Sequence, residues 1–106
     1  MKSFDERCYY LLRLVPSGRV TTYGEIARAL GSKGFRAVGG AMNRNPYAPE
    51  VPCHRVVCGD GKIGGFASGV VKKVGMLKEE EVKVVGRRVV DFDERFFGFH
   101  KKSQRL

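Results

Sequence analysis

Residues 18–46 read GRVTTYGEIARALGSKGFRAVGGAMNRNP, and the punctuation of this stretch decides the fold. Residues 19–22 carry three β-branched side chains and read as extended. Thr22 followed by Glu25 makes a capping box, in which each side chain satisfies an orphan amide at a helix start. A short helix is therefore predicted over 23–30, and Gly31 stops it as a C-terminal cap. Residues 33–44 read as a second helix. Two short helices joined by a tight glycine-containing turn outline a helix-turn-helix.

The second helix carries an internal cost. Gly39 and Gly40 sit in its middle, each ~1 kcal/mol less favourable than alanine. Either something must approach this backbone closely, or the helix packs tightly on a neighbour. Arg36 and Arg44 on the same element make a nucleic-acid groove one candidate for the close approach.

The flanks fit around this centre. Ser3 and Glu6 form another capping box, followed at helical spacing by Phe4, Cys8, Leu11, Leu12 and Val15. Cys8 lies on that apolar stripe and reads as core. The PSG at 16–18 ends the helix. Beyond the central stretch, NPYAPEVP at 45–52 is a proline-rich loop. HRVVCGDGKIGGF at 54–66 reads as a hairpin turning at Asp60 and Gly61. Beside a helix-turn-helix it would be a wing, with Lys62 in reach of phosphate. Residues 71–81 read as a helix and VKVVGRRVVDF at 82–92 as a last hairpin. The basic tail HKKSQRL at 100–106 is expected to fray. There is no repeat, low-complexity run or linker. The fold expected is a single winged helix-turn-helix domain over 1–106, mostly α with a small β hairpin.

Composition narrows the function. The chain has 106 residues, room for one modest core. No apolar run approaches the ~18 residues of a membrane helix. Acids stand where a signal peptide would have its apolar stretch, which reads as an intracellular chain. Twenty Lys and Arg against eleven Asp and Glu leave a net +9. A small domain this basic commonly meets a polyanion, although charge also serves solubility. Before residue 46 there are eight basic residues and three acids, while six acids lie within 79–94. The basic front suggests one binding face.

PCHRVV at 52–57 is the chemical motif. Three cysteines in an intracellular chain read as thiols. Cys53 and Cys58 lack a zinc-knuckle spacing and the only histidines are His54 and His100, so no metal site is expected. A cysteine acts as a nucleophile through its thiolate, a histidine can take the proton, and a carboxylate can orient that histidine. Adjacent residues of a strand face opposite ways, so Cys53 and His54 cooperate only if the backbone turns there.

Several of these stretches together resemble the O6-alkylguanine-DNA alkyltransferase family. PCHRVV is similar to its active-site motif, GRVTTYGEIARALG to the start of its helix-turn-helix, and RAVGGAMNRNP to its recognition helix and asparagine turn. GGFASG and the helix after it fit the next segment. The resemblance covers about 4–82, with 83–106 left as a basic C-terminal extension. It implies irreversible transfer of an alkyl group from guanine O6 to Cys53, without a cofactor. His54 would activate the thiol through a water, with Glu80 orienting the histidine and Asn45 bracing the turn. Arg36 would fill the gap left by the flipped base, and Tyr23 would crowd the phosphate and support guanine leaving. The resemblance further implies DNA contacts at Thr21, Thr22, Ala37, Gly39, Gly40, Arg44 and Lys62. It implies a substrate pocket from Met42, Val56, Phe66, Ala67, Ser68 and Lys73. The implied partner is double-stranded DNA containing alkylated guanine, met by a monomer with the DNA in the cytoplasm, or in the nucleus of a eukaryote. Other repair proteins are a further implied partner.

Individual residues keep second readings. Arg36 also fits a plain phosphate contact, Tyr23 a structural aromatic, Glu80 a solvated run with Glu79 and Glu81, and Cys58 a packed thiol. Many family members carry an N-terminal domain before this one, whereas here the first helix begins almost at Met1. A stand-alone domain also resembles the alkyltransferase-like proteins, which flip the damaged base and transfer nothing, usually with tryptophan at the position of Cys53. Phe66 and Ser68 stand where the family commonly has tyrosine and glycine. A winged-helix regulator and a cysteine hydrolase are more distant alternatives.

Overall fold

The computed structural model describes residues 3–32, 34–66 and 69–99. The chain runs α1 (Phe4–Leu12), β1 (Thr21–Thr22), α2 (Tyr23–Ala29), α3 (Phe35–Asn43), a single 3-10 turn (Cys53–Arg55), β2 (Val56–Val57), α4 (Val70–Glu79), β3 (Val84–Val85), β4 (Arg88–Val89) and α5 (Phe92–Arg95). It is mostly helical with small sheets, as the sequence predicts.

Local rules set the first helices. The Ser3 hydroxyl accepts from the Glu6 amide at 3.2 Å, and Thr22 accepts from Glu25 at 2.9 Å. Gly31 follows α2 at φ +71, the left-handed position of a C-terminal cap. The expected start of α3 at Lys33 lies outside the described residues; Gly34 is its N-cap.

Long-range contacts then dock α1 onto α3. Tyr9, 2% exposed, donates its hydroxyl to the Ala41 carbonyl at 2.7 Å. Arg44, one residue past α3, holds Asp5 through two bonds of 2.8 and 2.9 Å. Between these ties lies the larger core, built from Cys8, Leu12, Val15, Ile26, Val38 and Val56 among others. A second core collects Val20, Val57, Ile63, Leu77, Val82 and Val89.

β1 and β2 separate the two cores. Thr21 pairs with Val56 and Thr22 with Val57, in parallel. Successive strand residues face opposite ways, so Val56 enters the first core and Val57 the second.

This pairing corrects the expected hairpin over 54–66. The tight turn is present: Cys58 donates to the Lys62 carbonyl at 2.8 Å, and Gly61 to the Cys58 carbonyl at 2.9 Å. Its two arms, however, take different partners. Residues 61–63 run against β4, through Ile63 N to Arg87 O and Val89 N to Gly61 O, both 2.9 Å. Val56 and Val57 are both fully buried, and a strand buried on both faces needs a sheet partner inside the molecule.

Residues past the resemblance belong to both cores. The β3–β4 hairpin turns at Gly86 and Arg87, both at positive φ. After α5 the chain returns to α2, where Phe99 N donates to Glu25 and Arg28 to the Phe99 carbonyl, each at 2.7 Å. The basic tail lies outside the described residues. Among the described residues, no helix is long and apolar enough to cross a membrane.

Candidate active site

The site begins with a backbone reversal. Pro52 sits at φ −83, ψ 72, and the Cys53 amide bonds to the Val51 carbonyl two residues back at 2.8 Å. This is an inverse γ-turn. It feeds directly into the 3-10 turn, so Cys53 and His54 leave strand alternation. Asn45 fixes the reversal from outside: its Nδ2 also donates to the Val51 carbonyl at 2.8 Å, and its Oδ1 accepts from the Tyr47 amide at 2.9 Å.

Cys53 is 9% exposed and His54 3%. His54 Nε2 lies 2.9 Å from Glu80 Oε2. An ionised carboxylate only accepts, so Nε2 carries the proton and Nδ1 is left as the base. Nδ1 is buried and has no hydrogen-bond partner among the described residues. Burial pushes the His54 pKa below its ordinary 6.5, against the pull of Glu80, which keeps the ring neutral near pH 7.

Glu80 caps the C-terminus of α4, and its neighbours Glu79 and Glu81 are exposed. A second partner holds its carboxylate. Arg55 donates through Nε at 2.9 Å and through its terminal nitrogen at 2.6 Å, while its other terminal nitrogen reaches the Val15 carbonyl at 2.8 Å. Burial works against the Glu80 charge, but the Arg55 and His54 bonds outweigh it and hold the carboxyl below its usual range. Sequence reading gave Arg55 no role. The available signal was its place in the motif, next to the histidine on a turn where both can reach one carboxylate.

Lys73 of α4 is fully buried, an exceptional position for a lysine. Its ammonium donates to the carbonyls of Val56 at 2.7 Å, Ile63 at 2.5 Å and Gly65 at 3.1 Å. It lies 6.0 Å from the Tyr23 ring centre and 5.9 Å from that of Phe66. Burial lowers its pKa from 10.5 to about 8, against the opposing influence of Cys58 and Cys53. Burial likewise pushes the Tyr23 phenol up to about 12, with Cys58 and Cys53 adding to it. Tyr23 therefore keeps its proton and remains a donor.

Above these groups lies an open hollow of about 660 Å³, lined by Tyr23, Arg36, Gly39, Gly40, Asn43, Gly65 and Phe66. Arg36, Gly39 or Gly40, and Asn43 recur at one-turn spacing on a single face of α3. Tyr23 and Phe66 also pack against the larger core, to which Cys53 belongs. Among the described residues, a Cβ built on Gly39 meets nothing within 4 Å, and the nearest atoms to one on Gly40 belong to the Arg44 guanidinium, the first at 3.0 Å. Among the described residues, no neighbouring helix requires Gly39 to be glycine. Gly64 is different: at φ +72, an added Cβ would stand 3.2 Å from Cys58 Sγ and 3.6 Å from the Tyr23 ring.

Some expected contacts fall elsewhere. Thr21 and Thr22 are 0% and 6% exposed, and Thr22 spends its hydroxyl on the helix cap, so neither side chain offers itself to DNA. Their burial follows from the β1–β2 pairing, which the sequence did not reveal. Arg44 is held by Asp5 and does not line the hollow. Met42 is 7% exposed within the larger core. Ala37 is exposed near the start of α3, Lys62 is exposed beside Asp60, and Val56 is fully buried. Ala67 and Ser68 lie outside the described residues. Asn43 and Gly65 line the hollow and were not anticipated. Among the described residues, no group of three His, Cys, Asp or Glu side chains could hold a metal ion.

A helix pair whose glycine face stays open, on a chain that also sets a thiol and a carboxylate-held histidine on one turn, is the form of a DNA-binding domain. Residues 3–82 match the family model of the 6-O-methylguanine DNA methyltransferase, DNA binding domain, and the chain belongs to that family. It is 51% identical over 81 residues to the methylated-DNA–protein-cysteine methyltransferase of Thermococcus kodakarensis, covering 76% of this chain and 45% of that protein. It is 41% identical over 83 residues to the protein of the same name from Mycobacterium leprae, covering 77% and 50%. The chain spans about half the length of these curated relatives. Among solved structures, S. pombe Atl1 in complex with damaged DNA containing O6-carboxymethylguanine matches with a TM-score of 0.80 at 31% identity, covering 92% of this chain and 98% of that one. Mycobacterium tuberculosis OGT in complex with DNA matches at 0.72 and 40% identity, covering 76% and 51%.

Proposed function

We propose that this chain binds O6-alkylated guanine in double-stranded DNA and takes the alkyl group onto Cys53 in a single, irreversible step. The observation that carries the reading is Cys53 beside His54 on one 3-10 turn, with His54 held by Glu80 and its base nitrogen buried and unpartnered among the described residues.

The damaged atom lies inside the base stack, so the nucleotide must be rotated out at a cost of a few kcal/mol. Arg36, exposed at the rim of the hollow, has the length to enter the stack and offset part of that cost. The open glycine face lets the DNA backbone approach α3. His54 takes the Cys53 proton through one water, and the thiolate attacks the alkyl carbon. A sulfur–carbon bond forms as the carbon–O6 bond breaks. The guanine leaves with that electron pair and takes up a proton, for which Tyr23 is a donor. Lys73 holds the carbonyls of 56, 63 and 65 in place around the pocket. Because the alkylated thiol is not regenerated, one equivalent should be consumed per chain. Label from an O6-alkyl duplex should remain on the protein at a plateau of one per chain. Continued turnover would sink this reading.

A second reading keeps the binding and drops the transfer. The match to S. pombe Atl1 favours it, at a TM-score of 0.80 against 0.72 for Mycobacterium tuberculosis OGT. Retention of a thiol at position 53 favours transfer.

Two variants test the binding half. Arg36→Ala should weaken binding to a lesion-bearing duplex roughly tenfold, and to an undamaged duplex roughly threefold or less. Equal losses would reduce Arg36 to a phosphate contact. Gly39→Ala should stabilise the free protein by about 0.5–1 kcal/mol, since alanine is the better helix former and its methyl meets open space. The same methyl should weaken DNA binding several-fold. Titration against duplex, with thermal unfolding of the same samples, checks both signs together.

A further inference from the structure

The β3–β4 hairpin lies beyond the stretch that matches the family model, yet it is built against residues 61–63 inside that stretch. Its two-residue turn is of the I′ kind, which favours Asn-Gly because both central residues need positive φ. Here Gly86 sits at φ +57 and Arg87 at φ +63. An arginine in that conformation is uncommon and costs backbone energy. The turn presents it to solvent all the same. The hairpin is fixed to residues 61–63 through the Ile63–Arg87 and Val89–Gly61 bonds, which sets Arg88 opposite Lys62.

Three exposed cations therefore meet at one edge: Lys62, Arg87 and Arg88. One acid stands among them. Asp60 accepts from the Lys62 amide at 3.0 Å and lies 4.0 Å from the Lys62 ammonium, while Arg88 donates to its carbonyl at 2.6 Å. That amide bond, with the Lys62 and Arg88 charges, holds the Asp60 carboxyl below its ordinary range. The cluster stays net positive. Lys62 and Arg87 also flank a hollow of about 210 Å³ with Cys58, Ile63 and Gly64. Gly64 adjoins the wall of the larger hollow: its Cβ position faces the Tyr23 ring, and the next residues, Gly65 and Phe66, line that hollow. From Lys62 to Gly65 the chain spans at most about 10 Å.

We propose that the hairpin tip, Arg87 and Arg88 with Lys62, is a second phosphate-gripping surface that holds the DNA backbone beside the base pocket. The proposal rests on the DNA reading above. The surface positions the duplex without reading sequence, because phosphate contacts carry none.

The test compares the whole protein with a Lys62→Gln/Arg87→Asn double variant, asparagine being tolerant of the left-handed turn. Binding to a lesion duplex and to an undamaged duplex is measured across a salt series. Each lost phosphate contact should lower the log–log salt slope by about 1, so the double variant should lose about 2 and bind roughly tenfold more weakly at low salt. Lesion preference should be unchanged. Should the double variant melt early, Lys62→Gln alone, at an exposed side chain, should still lower the slope by about 1. An unchanged slope in a variant that melts with the parent overturns the proposal. If the parent has no lesion preference but the slope still falls, the repair reading fails and the phosphate surface stands.

Discussion

Cys53→Ser is expected to abolish alkyl transfer, by at least about 10³-fold, while lesion binding stays within about threefold of the parent. A thiol reaches its reactive anion near neutral pH and a hydroxyl does not. Serine nearly matches cysteine in volume, and Cys53 is 9% exposed, so the γ-turn and Asn45 brace should persist. Binding arises from α3 and the hollow, which Cys53 does not line. Transfer that survives in the variant would move the nucleophile to another thiol, with Cys58 the first to examine. Loss of transfer and binding together would make Cys53 a packing residue.

Glu80→Ala is the second large effect, and it acts on stability and chemistry together. The substitution strands His54 Nε2 and the Arg55 guanidinium, both held by that carboxylate. Breaking a buried ionic pair by removing one partner costs 3–5 kcal/mol; Glu80 keeps some solvent contact, so about 2–3 kcal/mol is expected here. The Glu80 pKa is depressed in the fold, so its contribution is present above the unfolded value near 4.5 and is lost as pH falls through the lower folded value. The stability gap between parent and variant should therefore be full at pH 7 and close below pH 4.5. His54 adds acid sensitivity to both proteins in the same direction: its pKa is also depressed, so the unfolded state takes the proton first as pH falls below 6.5. Transfer should slow by about 10²-fold, because the histidine loses its fixed tautomer. Urea titrations at several pH values check the first claim. A gap independent of pH would mean that the carboxylate charge does not hold this corner together.

What was legible in the sequence was local. The Ser3/Glu6 and Thr22/Glu25 boxes and the stop at Gly31 depend on residues within a few positions, and they set α1 and α2 correctly. The PCHRVV motif set a condition, that cysteine and histidine cooperate only if the backbone turns there, and the 3-10 turn at Cys53–Arg55 meets it. The two-residue strands β1 and β2 were not legible as a pair: they lie 35 positions apart and carry too few residues for a pattern. That hidden pairing buried Thr21 and Thr22 and split the expected hairpin between two partners. Lys73 was placed in the pocket helix by resemblance alone. Nothing in its local pattern separates a lysine solvating a helix from one that donates to three buried carbonyls. Arg55 and Arg44 followed the same logic, since their partners Glu80 and Asp5 are remote in sequence. Gly39 and Gly40 were legible as an anomaly with two readings, and the empty space beside Gly39 favours approach from outside.

The most direct test is the intact mass of the protein after incubation with a duplex containing O6-methylguanine, followed by digestion to locate any adduct. The expected result is a gain of one methyl on the peptide carrying Cys53, absent in Cys53→Ser. An unchanged mass in a protein that binds the lesion duplex tightly would contradict alkyl transfer and leave a lesion-recognition domain in its place.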